Sequence, residues 1–337
     1  MQRKRVTLDE VASAAGVSRA TVSLVVRKSP LVAEHTRQKV EQVMAALDYV
    51  RDIGAARLRN NSSRTVGVIV PNLVNSFFTE FLAGVERVMG EEDRVVLLAN
   101  SQDDPRRQDG ILQRFRGHGV DGVILCPAEG TAPDLPARMR QWGLAVVQAL
   151  REVGRDATDY AGADYIEGVR LAVRHLVGLG RRRIAFLSVG TRTSARDERL
   201  AGFARALAET GAEDAGIVEA DLTWEGAARS AAEVLALRSR PEAVLCFNDV
   251  LAAGLMLGLR RAGSEPGRAI AVVGLDDLPL AELTYPPLTS VAMDPAGIGA
   301  AAARLLARRL AEPGAEIRRS IQPPHLMMRE SSGRRAG

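Results

Sequence analysis

The sequence predicts a small all-α domain at the N-terminus and a larger α/β core built from two doubly wound parallel-sheet lobes. The first 50 residues carry closely spaced helix signals and no strand pattern. From Val66 onward, short apolar runs alternate with amphipathic helical segments, and this alternation restarts after Asp164. Repeated β-α units of this kind form parallel sheets covered by helices, and 337 residues hold enough of them for two lobes.

The charge of the chain is divided unequally between these two parts. Residues 1–64 hold 12 lysines and arginines against 6 acidic residues, whereas the remaining residues hold 33 against 35. A domain that meets nucleic-acid phosphates is expected to carry such a positive excess. No apolar run approaches the roughly 18 residues of a membrane span, and the basic N-terminus lacks the apolar segment of a signal peptide. We therefore expect a cytoplasmic protein with no membrane partner.

Helix signals near the N-terminus predict two short helices joined by a tight turn. Thr7 and Glu10 form a capping-box pattern that begins the first helix, Gly16 allows the turn, and Ser18 is placed to cap the second helix. A third helix is predicted from about Glu34 to Leu47. With the positive charge, this pattern is typical of a helix-turn-helix that inserts a helix N-terminus into the DNA major groove. A three-helix bundle without nucleic acid is the alternative.

The core pattern predicts eight strands and seven helices. The strands lie near Val66–Val70, Val95–Leu98, Val120–Leu125, Leu144–Val147, Ile184–Leu187, Ile217–Ala220, Val244–Phe247 and Ile270–Val273. The helices lie near Ser76–Gly90, Pro105–His118, Leu135–Trp142, Tyr165–Leu179, Glu198–Thr210, Glu225–Leu237 and Val250–Ala262. Two such lobes enclose a cleft at the carboxyl ends of their strands, where ligands bind. Cys126 and Cys246 fall in apolar runs and are expected to be buried thiols.

The sequence gives no support for an enzyme, a cofactor or a metal site. Gly297 and Gly299 match the letters of a dinucleotide fingerprint, but Asp294 and Pro295 begin a helix before them. Both glycines then lie inside that helix, where they favour close packing. The four histidines lack zinc spacing, and no pattern indicates a catalytic triad. We expect no cofactor, no metal and no catalytic residues.

Both parts of the chain resemble the LacI/GalR family of bacterial transcription regulators. The stretches that match the family's DNA-binding headpiece are Val6–Ala12, Ala15–Ser18, Thr21–Ser23, Ser29–Val32 and Thr36–Val40. Those that match its periplasmic-binding-protein-like core are Val68–Phe78, Gly119–Gly122, His175–Ala185, Arg199–Phe203, Phe247–Asp249, Gly274–Asp277 and Pro286–Val291. The resemblance extends from residue 6 to about 330.

The resemblance implies roles for residues of the headpiece. Arg19 and Ala20 would choose bases, and Leu24 stands where many relatives have a base-contacting arginine. The hydroxyl side chains that would contact phosphates are Thr7, Ser18, Thr21 and Ser23. Ala33 replaces the serine that usually caps the third helix, a loss of about 0.5–2 kcal/mol.

Residues 53–59 resemble the hinge helix of the family, which folds on DNA against its dimer mate. Leu58 would be the apolar side chain that wedges into the minor groove. Such a segment is too short to be helical alone in water, and a plain linker is the alternative. Arg51 and Asp52 replace the usual Pro-Asn of the family.

In the core, the resemblance implies a pocket for a small effector. The residues carried over to it are Phe77, Phe78, Arg199, Asn248 and Asp276. Their donors, acceptors and aromatic faces suit a polyhydroxylated ligand. Trp224 is either a further wall of this pocket or a residue that only packs at a helix start. Asp164-Tyr165 and the loop from Arg151 to Tyr160 depart from the usual sequence of the family.

The predicted domains are a headpiece at 1–50, a hinge and linker at 51–64, and an effector-binding and dimerisation core at 65–331. Lobe 1 is expected at about 65–163 and 293–320, and lobe 2 at about 164–292 and 321–331. The resemblance implies a repressor that binds a palindromic DNA operator as a homodimer, controlled allosterically by a sugar or related polar metabolite in the cleft. A corepressor-dependent or activating regulator of the same family is the alternative, and a solute-binding protein is a more distant one.

Overall fold

The computed structural model describes residues 6–27, 29–49 and 62–333, which belong to two compact units divided after Ser63. The N-terminal unit is all-α and the larger unit is α/β, so the predicted fold class is confirmed. The predicted hinge residues 53–59 with Leu58, and the departures Arg51 and Asp52, lie outside the described residues.

Three helices of the N-terminal unit pack around one small core. They are α1 (Leu8–Ala15), α2 (Arg19–Val26) and α3 (Glu34–Ala46). The buried core residues are Val11, Ala12, Ala15, Val22, Val25 and Val40. Their three- and four-residue spacing gives each helix one apolar face, which explains why the periodicity predicted these helices.

Local capping signals fix the ends of these helices. The hydroxyl of Thr7 accepts a hydrogen bond from the backbone N–H of Glu10 (3.3 Å), and the Glu10 carboxylate accepts one from the N–H of Thr7 (2.7 Å). Gly16 ends α1 at φ 63°, where a Cβ would be strained. Ala33 precedes α3 without a side-chain capping hydrogen bond, as the sequence predicted.

The larger unit contains two six-stranded sheets. Its strands are β1 (Thr65–Val70), β2 (Val95–Asn100), β3 (Gly122–Leu125), β4 (Ala145–Ala149), β5 (Asp159–Ala163), β6 (Arg183–Val189), β7 (Glu213–Ala220), β8 (Ala243–Cys246), β9 (Ala271–Asp276), β10 (Thr289–Ala292), β11 (Arg319–Gln322) and β12 (His325–Met327). The first sheet has the order β11-β5-β4-β3-β1-β2, and the second has the order β12-β10-β9-β8-β6-β7. Within these sheets β10 and β12 pair antiparallel, and the other neighbours pair parallel.

Helices cover both sheets. They are α4 (Ser76–Glu91), α5 (Pro105–His118), α6 (Leu135–Gln141), α7 (Tyr165–Gly178), α8 (Ser194–Thr210), α9 (Trp224–Ala236), α10 (Asp249–Arg261), α11 (Leu280–Leu283) and α12 (Pro295–Ala311). The chain crosses between the sheets after β5, after β10 and after β11. Because β11 continues to Gln322, the last crossing falls slightly later than the expected boundary at 320.

Small residues bring α12 and α4 into close contact in lobe 1. A Cβ added at Gly299 would lie 2.0 Å from the carbonyl oxygen of Phe81, and one at Gly84 would lie 2.0 Å from that of Ala296. This backbone approach agrees with the prediction that Gly299 is a packing residue. Cys126 and Cys246 are buried thiols without a disulfide, as expected. No helix in the described part of the chain is long and apolar enough to cross a membrane.

Candidate functional site

The first turn of α2 presents side chains on the surface of the N-terminal unit. Arg19 and Ala20 are exposed, and Leu24 is half-buried one turn further along. Arg19 Nε lies 3.6 Å from the Asp9 carboxylate of α1, with both side chains more than half exposed. Such a surface ion pair contributes only about 0–1 kcal/mol, so little free energy is lost when the Arg19 guanidinium leaves Asp9 for another partner.

The four hydroxyl groups predicted to contact phosphates all have partners within the protein. Ser18 Oγ accepts a hydrogen bond from the N–H of Thr21 (3.1 Å) and lies 2.9 Å from Thr21 Oγ1. The Thr7 hydroxyl donates to the Glu10 carboxylate (3.0 Å), and the Ser23 hydroxyl accepts from the arginine four residues on (2.8 Å). A phosphate at these positions would therefore share or replace an existing hydrogen bond.

A cavity of about 510 Å³ lies between the two lobes. Its lining comes from segments that follow strand ends, where the carboxyl ends of parallel strands meet. Five of the six predicted pocket residues line it, namely Phe77, Phe78, Arg199, Asn248 and Asp276. Helix α4 supplies the two phenylalanines from lobe 1, whereas α8, the cap of α10 and the end of β9 supply the three polar groups from lobe 2.

The structure corrects the hypothesis that Trp224 forms a wall of this cavity. The Trp224 side chain is 49% exposed and does not line the cavity. The hydroxyl of Thr223 caps α9 by accepting a hydrogen bond from the N–H of Gly226 (3.0 Å). This cap turns Trp224 into the first helical residue, and Leu222 with Thr223 lines the cleft instead.

Arg199 makes cation–π contacts with two aromatic rings. Its guanidinium carbon is 3.9 Å from the ring centre of Tyr165 and 4.4 Å from that of Phe247. Nη1 donates to the carbonyl of Ala195 (2.9 Å), and Nη2 lies 4.0 Å from Asp276 Oδ1, too far for a hydrogen bond. These two cation–π contacts and the hydrogen bond to Ala195 restrict the movement of the guanidinium.

Two buried polar atoms at this point have no hydrogen-bond partner among the described residues: Arg199 Nε and Asp276 Oδ1. Each side chain is only 5% exposed. Burial raises the pKa of the Asp276 carboxyl well above its usual range, and the Arg199 guanidinium opposes that shift. Because buried polar groups are normally paired, these two atoms indicate a site for a polar ligand.

Asp249 positions this part of the cleft and was not identified from the sequence. Its carboxylate accepts hydrogen bonds from the N–H of Leu278 (2.7 Å) and the hydroxyl of Ser290, which fix the loop after Asp276. Burial raises the pKa of Asp249 to about 7, although the Ser290 hydrogen bond lowers it. Asp249 directly follows Asn248 in the motif Phe247–Asp249, and this position could have identified it from the sequence.

The sequence also did not identify the two rings against Arg199. Tyr165 is the residue at which the chain departs from the family's pattern at the start of lobe 2, and Phe247 precedes Asn248. Burial raises the pKa of the Tyr165 hydroxyl to about 12, although the Arg199 guanidinium lowers it. No group of three or more histidine, cysteine or acidic side chains in residues 6–27, 29–49 and 62–333 could hold a metal ion.

A helix-turn-helix unit and a two-lobed ligand cleft together define a DNA-binding regulator with a small-molecule sensor. Residues 7–52 match the family model of bacterial regulatory proteins of the lacI family, and residues 173–332 match the periplasmic binding protein-like domain. The chain is 31% identical over 336 residues to the HTH-type transcriptional repressor PurR of Vibrio campbellii, covering 96% of this chain and 98% of the relative. The chain therefore belongs to the lacI family of bacterial regulatory proteins.

Other comparisons agree with this assignment. The ribose operon repressor of Haemophilus influenzae is 28% identical over 334 residues, 96% of this chain and 98% of the relative. The lac repressor dimer bound to operator and the anti-inducer ONPF matches with a TM-score of 0.89 at 25% identity, over 98% of this chain and 100% of that one. The complex of the transcriptional regulator CelR with cellobiose matches with a TM-score of 0.74 at 30% identity, over 97% of this chain and 100% of that one. The chain is a transcriptional repressor of this family with a metabolite-binding domain, and it is not an enzyme.

Proposed function

We propose that this repressor binds a palindromic operator as a homodimer and that a small polar metabolite in the cleft controls its affinity for DNA. The observation that carries the proposal is the buried pair of Arg199 and Asp276, whose unpartnered Nε and Oδ1 belong to side chains that line a cavity of about 510 Å³. A ligand that satisfies both atoms gains hydrogen bonds to charged groups, which are among the stronger ones in proteins.

The DNA-binding role falls to the surface of α2. Arg19 is proposed to read a base through its guanidinium, with Ala20 and Leu24 as short or apolar neighbours. The proposed phosphate contacts are Thr7, Ser18, Thr21 and Ser23. Leu58 remains the proposed minor-groove wedge, outside the described residues.

A second copy of the chain is the proposed partner in the dimer. Large apolar side chains are exposed in lobe 1 at Val95 and in lobe 2 at Leu283 and Tyr285, with exposed fractions of 59%, 81% and 77%. Exposed apolar surface of this kind marks interaction sites. The lac repressor in the matching structure is a dimer bound to operator, which supports the same assembly for this chain.

The ligand can control DNA binding because the residues that line the cavity come from both lobes. Phe77 and Phe78 come from lobe 1, whereas Arg199, Asn248 and Asp276 come from lobe 2. A ligand that contacts both groups favours one arrangement of the lobes. The change in operator affinity equals the difference in ligand affinity between the two arrangements.

The test begins by identifying the operator from fragmented genomic DNA that the full-length protein retains. We expect an enriched motif with two symmetric half-sites. Metabolite extract from the same cells should then change the operator affinity of the wild type and of Arg205→Leu, an exposed arginine on the same helix as Arg199. Arg199→Leu should bind the operator and lose the response to extract. An enriched motif without symmetry contradicts the dimer on a palindrome, and an unchanged response of Arg199→Leu contradicts the proposed site.

A further inference from the structure

Five amide side chains line the cleft, and each uses its oxygen within the protein. Four of the amide oxygens accept from backbone N–H groups: Asn72 from Val74 (2.7 Å), Asn75 from Phe77 (3.0 Å), Asn100 from Gln102 (2.8 Å) and Asn248 from Leu251 (3.0 Å). The side-chain oxygen of Gln102 accepts from Arg107 Nη1 (2.9 Å). These partners only donate, so they fix which end of each amide is the oxygen.

The amide nitrogens of the same five side chains have no hydrogen-bond acceptor among the described residues. Each of these cleft-lining amides therefore has an NH₂ group with two donors that no described residue uses. The caps Asn75, Thr223 and Asn248 also line the cavity, so the N-terminal ends of α4, α9 and α10 meet it. Helix N-termini carry partial positive charge and favour anions.

Arg151 adds a guanidinium from lobe 1, on the loop after β4. Its Nη1 donates to the Asp103 carboxylate (2.6 Å) and to the carbonyl of Pro127 (3.3 Å), and its side chain is 12% exposed. Its Nε and Nη2 have no hydrogen-bond partner in the described part of the chain. Arg151 therefore brings further charged donors to the cavity that Arg199 lines from lobe 2.

Acceptors are scarce by comparison. Asp276 Oδ1 is the one buried side-chain acceptor without a partner within residues 6–27, 29–49 and 62–333. The Asp103 carboxylate accepts from Arg151 and from the N–H of Glu129 (3.0 Å) through the same oxygen, Oδ1, so that Oδ2 is a second acceptor without a partner among the described residues. A sugar hydroxyl accepts hydrogen bonds and also donates one, so each hydroxyl needs an acceptor, whereas an ionised carboxylate only accepts. Five amides and two guanidiniums around one cavity therefore fit an acceptor-rich ligand.

We infer that the metabolite in the cleft is a small organic anion, and that Arg151 binds its carboxylate or phosphate group together with Arg199. The inference rests on the effector-binding function proposed above and narrows its ligand class. The rings of Phe77, Phe78 and Tyr165 give the carbon skeleton of the ligand an apolar surface. Because the two arginines belong to different lobes, the anionic group bridges the lobes and favours the arrangement in which both arginines reach it.

The first test separates metabolites by charge. Small molecules from the cells that make this protein are passed over an anion-exchange resin at neutral pH, and each fraction is assayed for a rise in the melting temperature of the full-length protein. We expect the stabilising activity in the retained fraction. Phosphatase treatment then abolishes it for a phosphate ester and leaves it intact for a carboxylate.

The outcomes separate this inference from the proposed function. Stabilising activity in the unretained fraction contradicts the inference that the ligand is an anion, but it agrees with the proposed effector site. If neither fraction stabilises the protein, the result contradicts the proposed effector site and therefore also the inference that its ligand is an anion.

The second test assigns the anion to Arg151. Arg151→Gln should weaken binding of the active fraction by about tenfold or more, whereas Arg155→Gln, an exposed arginine on the same loop, should leave it unchanged. Because Arg151→Gln removes the ion-pair partner of Asp103, the double variant Arg151→Gln/Asp103→Asn is measured beside it, with the melting temperature of each unliganded protein. Undiminished binding by either folded variant overturns the role of Arg151.

Discussion

Arg19 is the one predicted base-reading residue whose side chain can make a bidentate contact with guanine, because Ala20 and Leu24 carry no polar atoms. Arg19→Ala should therefore cost about 1–3 kcal/mol of binding free energy at one base pair in each half-site and relax discrimination there. Fluorescence anisotropy titrations on the operator and on operators altered at single base pairs measure this effect.

The Asp9 partner of Arg19 provides the control. Asp9→Ala removes the 3.6 Å ion pair and leaves the guanidinium in place, so operator affinity should stay the same or rise slightly. Equal weakening of Arg19→Ala on all DNA sequences would instead make Arg19 a phosphate contact.

The resemblance to the family led to five of the cleft residues, whereas residues whose place depends on loop geometry could not be assigned. Asn248 and Asp276 were carried over from motifs that match the family, and the structure places them directly after β8 and at the end of β9. The two alternatives for Trp224 could not be separated from sequence, because they depend on which residue caps α9. Arg151 is held at the cleft by a contact with Asp103, which lies 48 positions earlier in the chain. A local sequence pattern cannot predict a contact between residues so far apart in the chain.

Helices were predicted closely because their signals are local. Helix α5 spans Pro105–His118 as predicted, since Asp104 caps it by accepting a hydrogen bond from the N–H of Arg106 (2.8 Å) and Gly119 ends it in the left-handed region. Strand β5, Asp159–Ala163, is fully buried but combines aspartate, glycine and alanine, so its sequence lacks strand character. It forms because β4 and β11 pair with it from both sides, a condition set by the tertiary fold.

The close contact between α4 and α12 can be tested by substituting Gly299. Gly299→Ala places a Cβ 2.0 Å from the carbonyl oxygen of Phe81, so the two helices must separate. We expect the free energy of unfolding to fall by about 1–3 kcal/mol, measured by urea denaturation of the full-length protein. Gly110→Ala is the matched control inside α5, because its Cβ meets only Arg114 Nη2 at 3.7 Å.

In the control, a higher helix propensity should raise the free energy of unfolding by up to about 1 kcal/mol. If Gly299→Ala were as stable as the wild type, the helices would not be held together by backbone contact, and the close-packing interpretation of Gly299 would fail.

In the whole molecule, the two sheets end in edge strands of opposite character. Strand β2 exposes Val95, Leu97 and Leu98, an apolar edge that would favour association. Strand β7 at the edge of the other sheet exposes Ile217 beside acidic side chains, including Glu213 and Glu219. Charged side chains on an edge strand oppose pairing with another chain. We therefore expect the proposed dimer to use the β2 side of lobe 1.

This difference predicts the assembly. Sedimentation velocity should show a dimer for the wild type and for Ile217→Asp, and a monomer for the double variant Val95→Asp/Leu97→Asp, because burying two carboxylates against an apolar surface is unfavourable. The monomer should retain ligand binding in the cleft but lose most operator affinity, since each headpiece then contacts one half-site without the gain from linkage to the second. A dimer that survives both aspartates would move the interface away from β2, and a wild-type monomer or tetramer would contradict the homodimer itself.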